Sequence, residues 1–122
     1  MHLVMEDWKF DFEWLKLRHQ VQDRFKRKDL PDTNALLFLV GIHVLGQLKR
    51  TFTKEEKQDL MHIAICELLM EDGFYEFKGL DQDGWPHYET IRPVPVQGVK
   101  EQERFLQEKL IAYFKSVYDE EE

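Results

Sequence analysis

Between the break at Leu30-Pro31-Asp32 and the basic pair Lys49-Arg50, the chain is apolar on nearly every side. Leu36, Leu37, Phe38, Leu39, Val40, Ile42, Val44, Leu45 and Leu48 crowd this segment, and only His43 and Gln47, four apart, form a narrow polar stripe. A helix of this pattern has no face to give to water, so it has to be the central element around which the rest packs. The spacing predicts a helix over 33–49, with Asp32 or Thr33 capping it by accepting a hydrogen bond from an early backbone N–H. Gly41 and Gly46 fall inside it with no Lys-Ser/Thr behind them, so they are no phosphate loop; close approach of a neighbouring helix explains them better. The longest apolar run, 35–45, is broken by Gly41 and His43 and falls well short of the roughly 20 residues that span a bilayer. No membrane association is expected.

The remaining elements follow from periodicity and end signals. Trp8, Phe10, Phe12 and Trp14 alternate with Lys9, Asp11 and Glu13, a strand-like period, whereas Trp14, Leu17, Val21 and Phe25 recur at helical steps. A helix is expected at about 12–27, ending in the basic run 24–28, behind an N-terminal arm of residues 1–10; whether 7–14 is strand or helix stays open. Trp8 and Phe12 would then need a second surface, either in this chain or in a second copy. Thr53-Lys-Glu-Glu56 has the capping-box form and starts a third helix, about 54–71, with Met61, Ile65, Leu68 and Leu69 as its core stripe. Glu56, Glu67 and Glu71 lie on its opposite, outer side, and Gly73 is placed to stop it. The segments 74–77 and 85–91 flank an Asp/Gly turn and read as a β-hairpin. Ile91 to Val96 is held extended by its prolines. A last helix, about 99–118, carries Leu106, Leu110, Tyr113, Phe114 and Val117 on one side. The expected fold is mainly α: a single compact domain over 1–122 of four helices, with one β-hairpin between the third and fourth and a winged-helix-like order in the second half.

Charge narrows the function. The 122 residues carry 24 acids against 17 bases, a net charge of −7, and four of the acids are the last four residues, read as a solvated, frayed tail. The body is still mildly acidic without them, and the third helix and the hairpin offer acids where a winged helix would meet phosphate. Nucleic acid is therefore a disfavoured partner. The lone Cys66 cannot form an internal disulfide, and the N-terminus turns acidic before any leader-like apolar run develops; a cytoplasmic protein is the expectation.

The residues able to do chemistry cluster between Thr53 and Arg92. Asp59, His62 and Cys66 are spaced by three and four, so they share one flank of the third helix. Asp59 could orient His62 as a base or ligand, with Cys66 as a thiolate. The plainer expectation is a half-buried His62 bonded to Asp59 or a backbone carbonyl, and Cys66 as a small core side chain. Asp81-Gln-Asp83-Gly84 fits a hairpin turn and not a calcium loop, because the required glycine would fall on Pro86 and the last ligand on Arg92. Trp85, Pro86, His87 and Tyr88 either line a small pocket or lie as an aromatic cover over the helices, and Glu89 follows them. No metal, nucleophile or phosphate spacing occurs. No cofactor and no metal are expected.

Three functions compete. The first is a non-catalytic interaction or structural module, with a protein partner or a homodimer, motivated by the N-terminal Trp8, Phe10, Phe12 and Trp14, which exceed what one helix face can bury; Trp8, Phe10, Trp14, Trp85 and Tyr88 are the candidate pocket or interface aromatics. The second is a small enzyme or metal-binding protein using His62 and Asp59, with His87. The third is a winged-helix-like nucleic-acid-binding regulator. On Ala35-Leu-Leu-Phe-Leu-Val-Gly-Ile, Phe52-Thr-Lys-Glu-Glu-Lys-Gln-Asp-Leu-Met-His-Ile-Ala and Asp83-Gly-Trp-Pro-His, the stretch 34–95 resembles a family of small uncharacterised bacterial helical proteins. That resemblance implies a helical domain and carries no catalytic residue across.

Overall fold

The computed structural model describes residues 6–47, 51–96 and 98–120, Glu120 by its backbone; Leu48, residues 1–5 of the expected arm and 121–122 of the expected tail lie outside them. The elements run α1 (Asp7–Arg24), α2 (Thr33–Leu45), α3 (Lys54–Met70), β1 (Tyr75–Leu80), β2 (Pro86–Thr90) and α4 (Val99–Glu120). Four helices and an antiparallel two-stranded hairpin between the third and fourth make a mainly α fold.

The aromatic N-terminal stretch is helical, and α1 begins five residues before the expected start. The apparent strand alternation is two interleaved four-residue pairs. Phe10 and Trp14 face inward and stack with ring centroids 6.4 Å apart. Trp8 and Phe12, half a turn round the helix, face solvent. The helix ends at Arg24, short of the expected 27: Phe25 is exposed, and Lys26 takes a left-handed φ of 52°.

The apolar helix is central, as its composition requires. Asp32 caps α2 by accepting from the Ala35 N–H at 2.8 Å. It stops at Leu45, short of the expected 49, because Gly46 takes φ 69° and its N–H closes on the Ile42 carbonyl at 3.0 Å. The two glycines thus have different reasons. Gly41 is the close approach: a Cβ there would lie 2.7 Å from the Leu60 carbonyl carbon and closer still to its oxygen. Gly46 is a helix stop. His43 and Gln47 are both exposed; His43 pairs with the Tyr113 hydroxyl on α4, and Gln47, beyond the helix, donates to the Asp83 carbonyl at 2.8 Å.

Helix α3 starts on a complete capping box, Thr53 Oγ1 accepting from Glu56 N–H and the Glu56 carboxylate from Thr53 N–H. It ends with the Phe74 N–H on the Leu69 carbonyl and the Gly73 N–H on the Met70 carbonyl, the paired bonds of a Schellman stop. Its buried set is wider than the expected stripe: Leu60, Ile63, Ala64, Cys66, Leu68 and Leu69 are buried, while Met61 and Ile65 are partly so. The reason is that α3 is covered twice, by the helices on one side and by the hairpin on another. Glu67 is consequently not on an open face; it accepts from the Tyr88 hydroxyl at 2.8 Å.

Helices α2 and α3 run antiparallel, Gly41 against Leu60. Helices α1 and α4 run parallel: Arg104 reaches Asp7 at 3.2 Å and stacks over Phe10 at their starts, and Arg24 lies over the Tyr118 ring at their ends. The main core draws on all four helices, with Leu17, Val21, Leu36, Val40, Ala64, Leu110 and Phe114 among its members. A second cluster, Leu45, Leu60 and Ile63, lies beneath Trp85 and Tyr88 of the hairpin. Among the described residues no helix is long and apolar enough to cross a membrane.

Candidate functional site

The hairpin turn is built around one carboxylate. Asp81 Oδ1 accepts from the N–H groups of Asp83 (2.9 Å) and Trp85 (3.0 Å), and Asp81 Oδ2 lies 2.9 Å from His87 Nε2. The His87 bond first, and then the two backbone donors, hold the Asp81 carboxyl below its ordinary range. Strand pairing sets Phe77 opposite Tyr88 and Glu76 opposite Glu89, with an irregularity at Lys78. Lys78 lies 3.0 Å from Glu89 and 3.5 Å from Glu76, which relieves the like charges facing each other on the outer side. Glu89 therefore stands apart from the other candidate residues.

Between the first half of α3 and the turn lies an open cleft of about 440 Å³, a size in the range of small-ligand sites. Glu56, Asp59, His62 and Ile63 form one wall, and Asp81, Asp83, Trp85, Pro86, His87 and Tyr88 the other. The fold thus brings together Asp59, His62 and His87 from different elements. It does not join them into a catalytic unit. His62 is exposed and pairs with Cys66, Nε2 to Sγ 3.5 Å, and with the Tyr75 ring edge-on, instead of being half-buried on Asp59. Asp59 stands exposed on the rim. Cys66 is fully buried, and burial pushes its thiol up to about 11, so it holds its proton at neutral pH and offers no thiolate to a metal or a substrate. Burial, and then the Glu67 hydrogen bond, raise the Tyr88 hydroxyl as well. Among the described residues no three or more His, Cys, Asp or Glu side chains converge to hold a metal ion. His87 is oriented by Asp81, but that carboxylate already serves the turn.

The aromatics separate by environment. Phe10 is buried, Trp14 packs against the main core, and Trp85 and Tyr88 pack against the second cluster, so all four serve the interior. Trp8 is 69% exposed, Phe12 61% and Leu15 46%. At steps of four and three residues they form one stripe along the outside of α1, opposite Phe10, Leu17 and Val21. Leu15 lies within the helix expected over 12–27, but it reads as part of an apolar stripe only when the helical period runs back to Trp8. Glu67 was missed for a different reason: nothing local says that a hairpin residue 21 positions later will cover it.

No protein-family profile, curated protein or solved structure matches this chain.

Proposed function

We propose that this chain is a non-catalytic protein-interaction module whose contact surface is the outer face of α1. The observation that carries the reading is the Trp8–Phe12–Leu15 stripe. It is a contiguous apolar strip on a helix whose other side is already committed to the core. Large exposed aromatics cost solubility, and contiguous apolar patches on folded chains tend to mark interfaces. Such residues are also the side chains that dominate binding energy once desolvated. The catalytic alternative lacks support by comparison: the one buried nucleophile candidate, Cys66, is protonated, and the imidazoles of His62 and His87 are engaged with separate partners. Nucleic-acid binding is disfavoured by the acids at the hairpin and by the covered face of α3. An unpaired buried cysteine suits a reducing compartment, and the cytoplasm is the proposed location.

The test is site-specific photocrosslinking in the producing cell. A photoreactive phenylalanine analogue at position 12 is expected to give a discrete protein adduct, and the same group at the exposed Lys57 none. Absence of any adduct from position 12 refutes the reading.

A further inference from the structure

We infer that the outer face of α1 recognises itself, so that two copies of this chain pair α1 against α1, parallel and in register. The inference rests on the interaction-module reading and names its partner. Trp8, Phe12, Leu15 and His19 follow one another at steps of four, three and four, the spacing of a two-stranded coiled-coil seam with Trp8 and Leu15 at d and Phe12 and His19 at a. All four are exposed. The flanking e positions are then Lys9, Lys16 and Asp23, and the g positions include Asp11 and Arg18. Arg18 is held along the helix side by its Nε bond to the Pro31 carbonyl at 2.8 Å, and its side chain flanks the seam.

The flanking charges choose the arrangement. In a parallel, in-register pair each g residue meets the e residue five positions later on the other copy. Asp11 meets the partner's Lys16, and Arg18 meets the partner's Asp23. Both contacts are attractive, and the two-fold axis repeats each of them. Antiparallel pairing sets e beside e, which brings Lys16 against the partner's Lys16. Slipping the parallel pair by one heptad sets either Asp11 against the partner's Asp23 or Arg18 against the partner's Lys16. Among the arrangements that keep Trp8, Phe12 and Leu15 packed against one another, the in-register parallel pair alone is free of a like-charge contact, which is how such positions ordinarily select partner and orientation. The exposed fractions of Trp8, Phe12 and Leu15 correspond to about 350 Å² of apolar surface per copy, taking about 150–250 Å² for a whole aromatic side chain. That is under half of the roughly 800 Å² per partner of a standard interface, so the pair is a weak, transient one.

Sedimentation of the full chain from micromolar to near-millimolar concentration is expected to show a monomer–dimer equilibrium. Asp11→Lys or Lys16→Asp alone is expected to weaken it about tenfold, and the double variant D11K/K16D to restore it to within about threefold. These positions are exposed, so far-UV dichroism is expected to show all three variants folded. A chain that stays monomeric throughout overturns the inference. So does a Lys16→Asp variant that dimerises as well as the parent, the result expected where position 16 faces its own copy and one like-charge pair replaces another, or a double variant that is not restored. The crosslink from position 12 separates the two readings. A heavier adduct with another protein, from a chain that sediments as a monomer, refutes self-pairing and leaves the interaction module standing; no adduct refutes both.

Discussion

Replacing Gly41 with alanine tests the close approach of α2 to α3. The added Cβ would sit 2.7 Å from the Leu60 carbonyl carbon and 3.0 Å from its Cβ, nearer still to the carbonyl oxygen. These are backbone and near-backbone atoms, which cannot swing aside as the end of a lysine would, so α2 and α3 must separate. Overpacking of a tight core costs about 1–3 kcal/mol, and the rigid collision places this site at the upper end, about 3. Alanine is the better helix former by about 1 kcal/mol, which offsets part of the loss. The net expectation is a loss of about 2 kcal/mol. With an unfolding entropy of about 2.1 cal/mol/K per residue, a chain of 122 residues should melt about 8 °C lower. Gly46→Ala is the contrast. Nothing lies within 4 Å of its Cβ position, and only the left-handed φ of 69° opposes the change. It should cost about 1 kcal/mol, about 4 °C. Thermal unfolding followed at 222 nm measures both. A Gly41→Ala protein that melts at or above the parent temperature would refute the close packing of α2 on α3, because the helix propensity gain would then stand unopposed.

Tyr88→Phe leaves the Glu67 carboxylate beneath the hairpin without its donor; a loss of about 1–3 kcal/mol is expected in urea titration, and adding Glu67→Gln should recover part of it. The folded pKa of the Cys66 thiol, about 11, lies above its ordinary 9.0. The native state therefore keeps a proton that the unfolded chain releases, and the contribution is complete below pH 9 and lost as pH climbs toward 11. Urea midpoints should fall between pH 9 and 10, and Cys66→Ala, though less stable, should lose the part of that slope due to the thiol. The same burial predicts that a disulfide reagent at pH 8 leaves Cys66 untouched until denaturant is added. Thr53→Ala, which removes the acceptor of the Glu56 N–H, should cost about 1 kcal/mol by the same titration.

The fold was largely legible because its determinants are local. The capping box at Thr53, the Asp32 cap and the Asp81 turn each satisfy backbone groups within a few residues, and so each is written in consecutive sequence. Element order followed from them. The start of α1 and the end of α2 depart from the sequence expectation for two separate reasons. Two interleaved four-residue pairs look like a period of two over seven residues, and a left-handed glycine inside an apolar run looks like a packing glycine. Geometry separates these, and composition does not.

Site residues were less legible because a site is a relation between distant elements. His62 and Asp59 were paired by spacing on one helix, yet the ring turned to Cys66 and to Tyr75, which arrives with the hairpin. Glu67 read as a solvent-facing acid until the Tyr88 hydroxyl covered it. The same logic explains why the α1 stripe is the stronger functional signal. The hairpin brings Tyr75 to His62 and Tyr88 to Glu67, while Cys66 is buried within the fold and Asp59 stays exposed. Among the described residues nothing covers Trp8 and Phe12, and it is on that exposure, with the charges that flank it, that the proposed α1 interface rests.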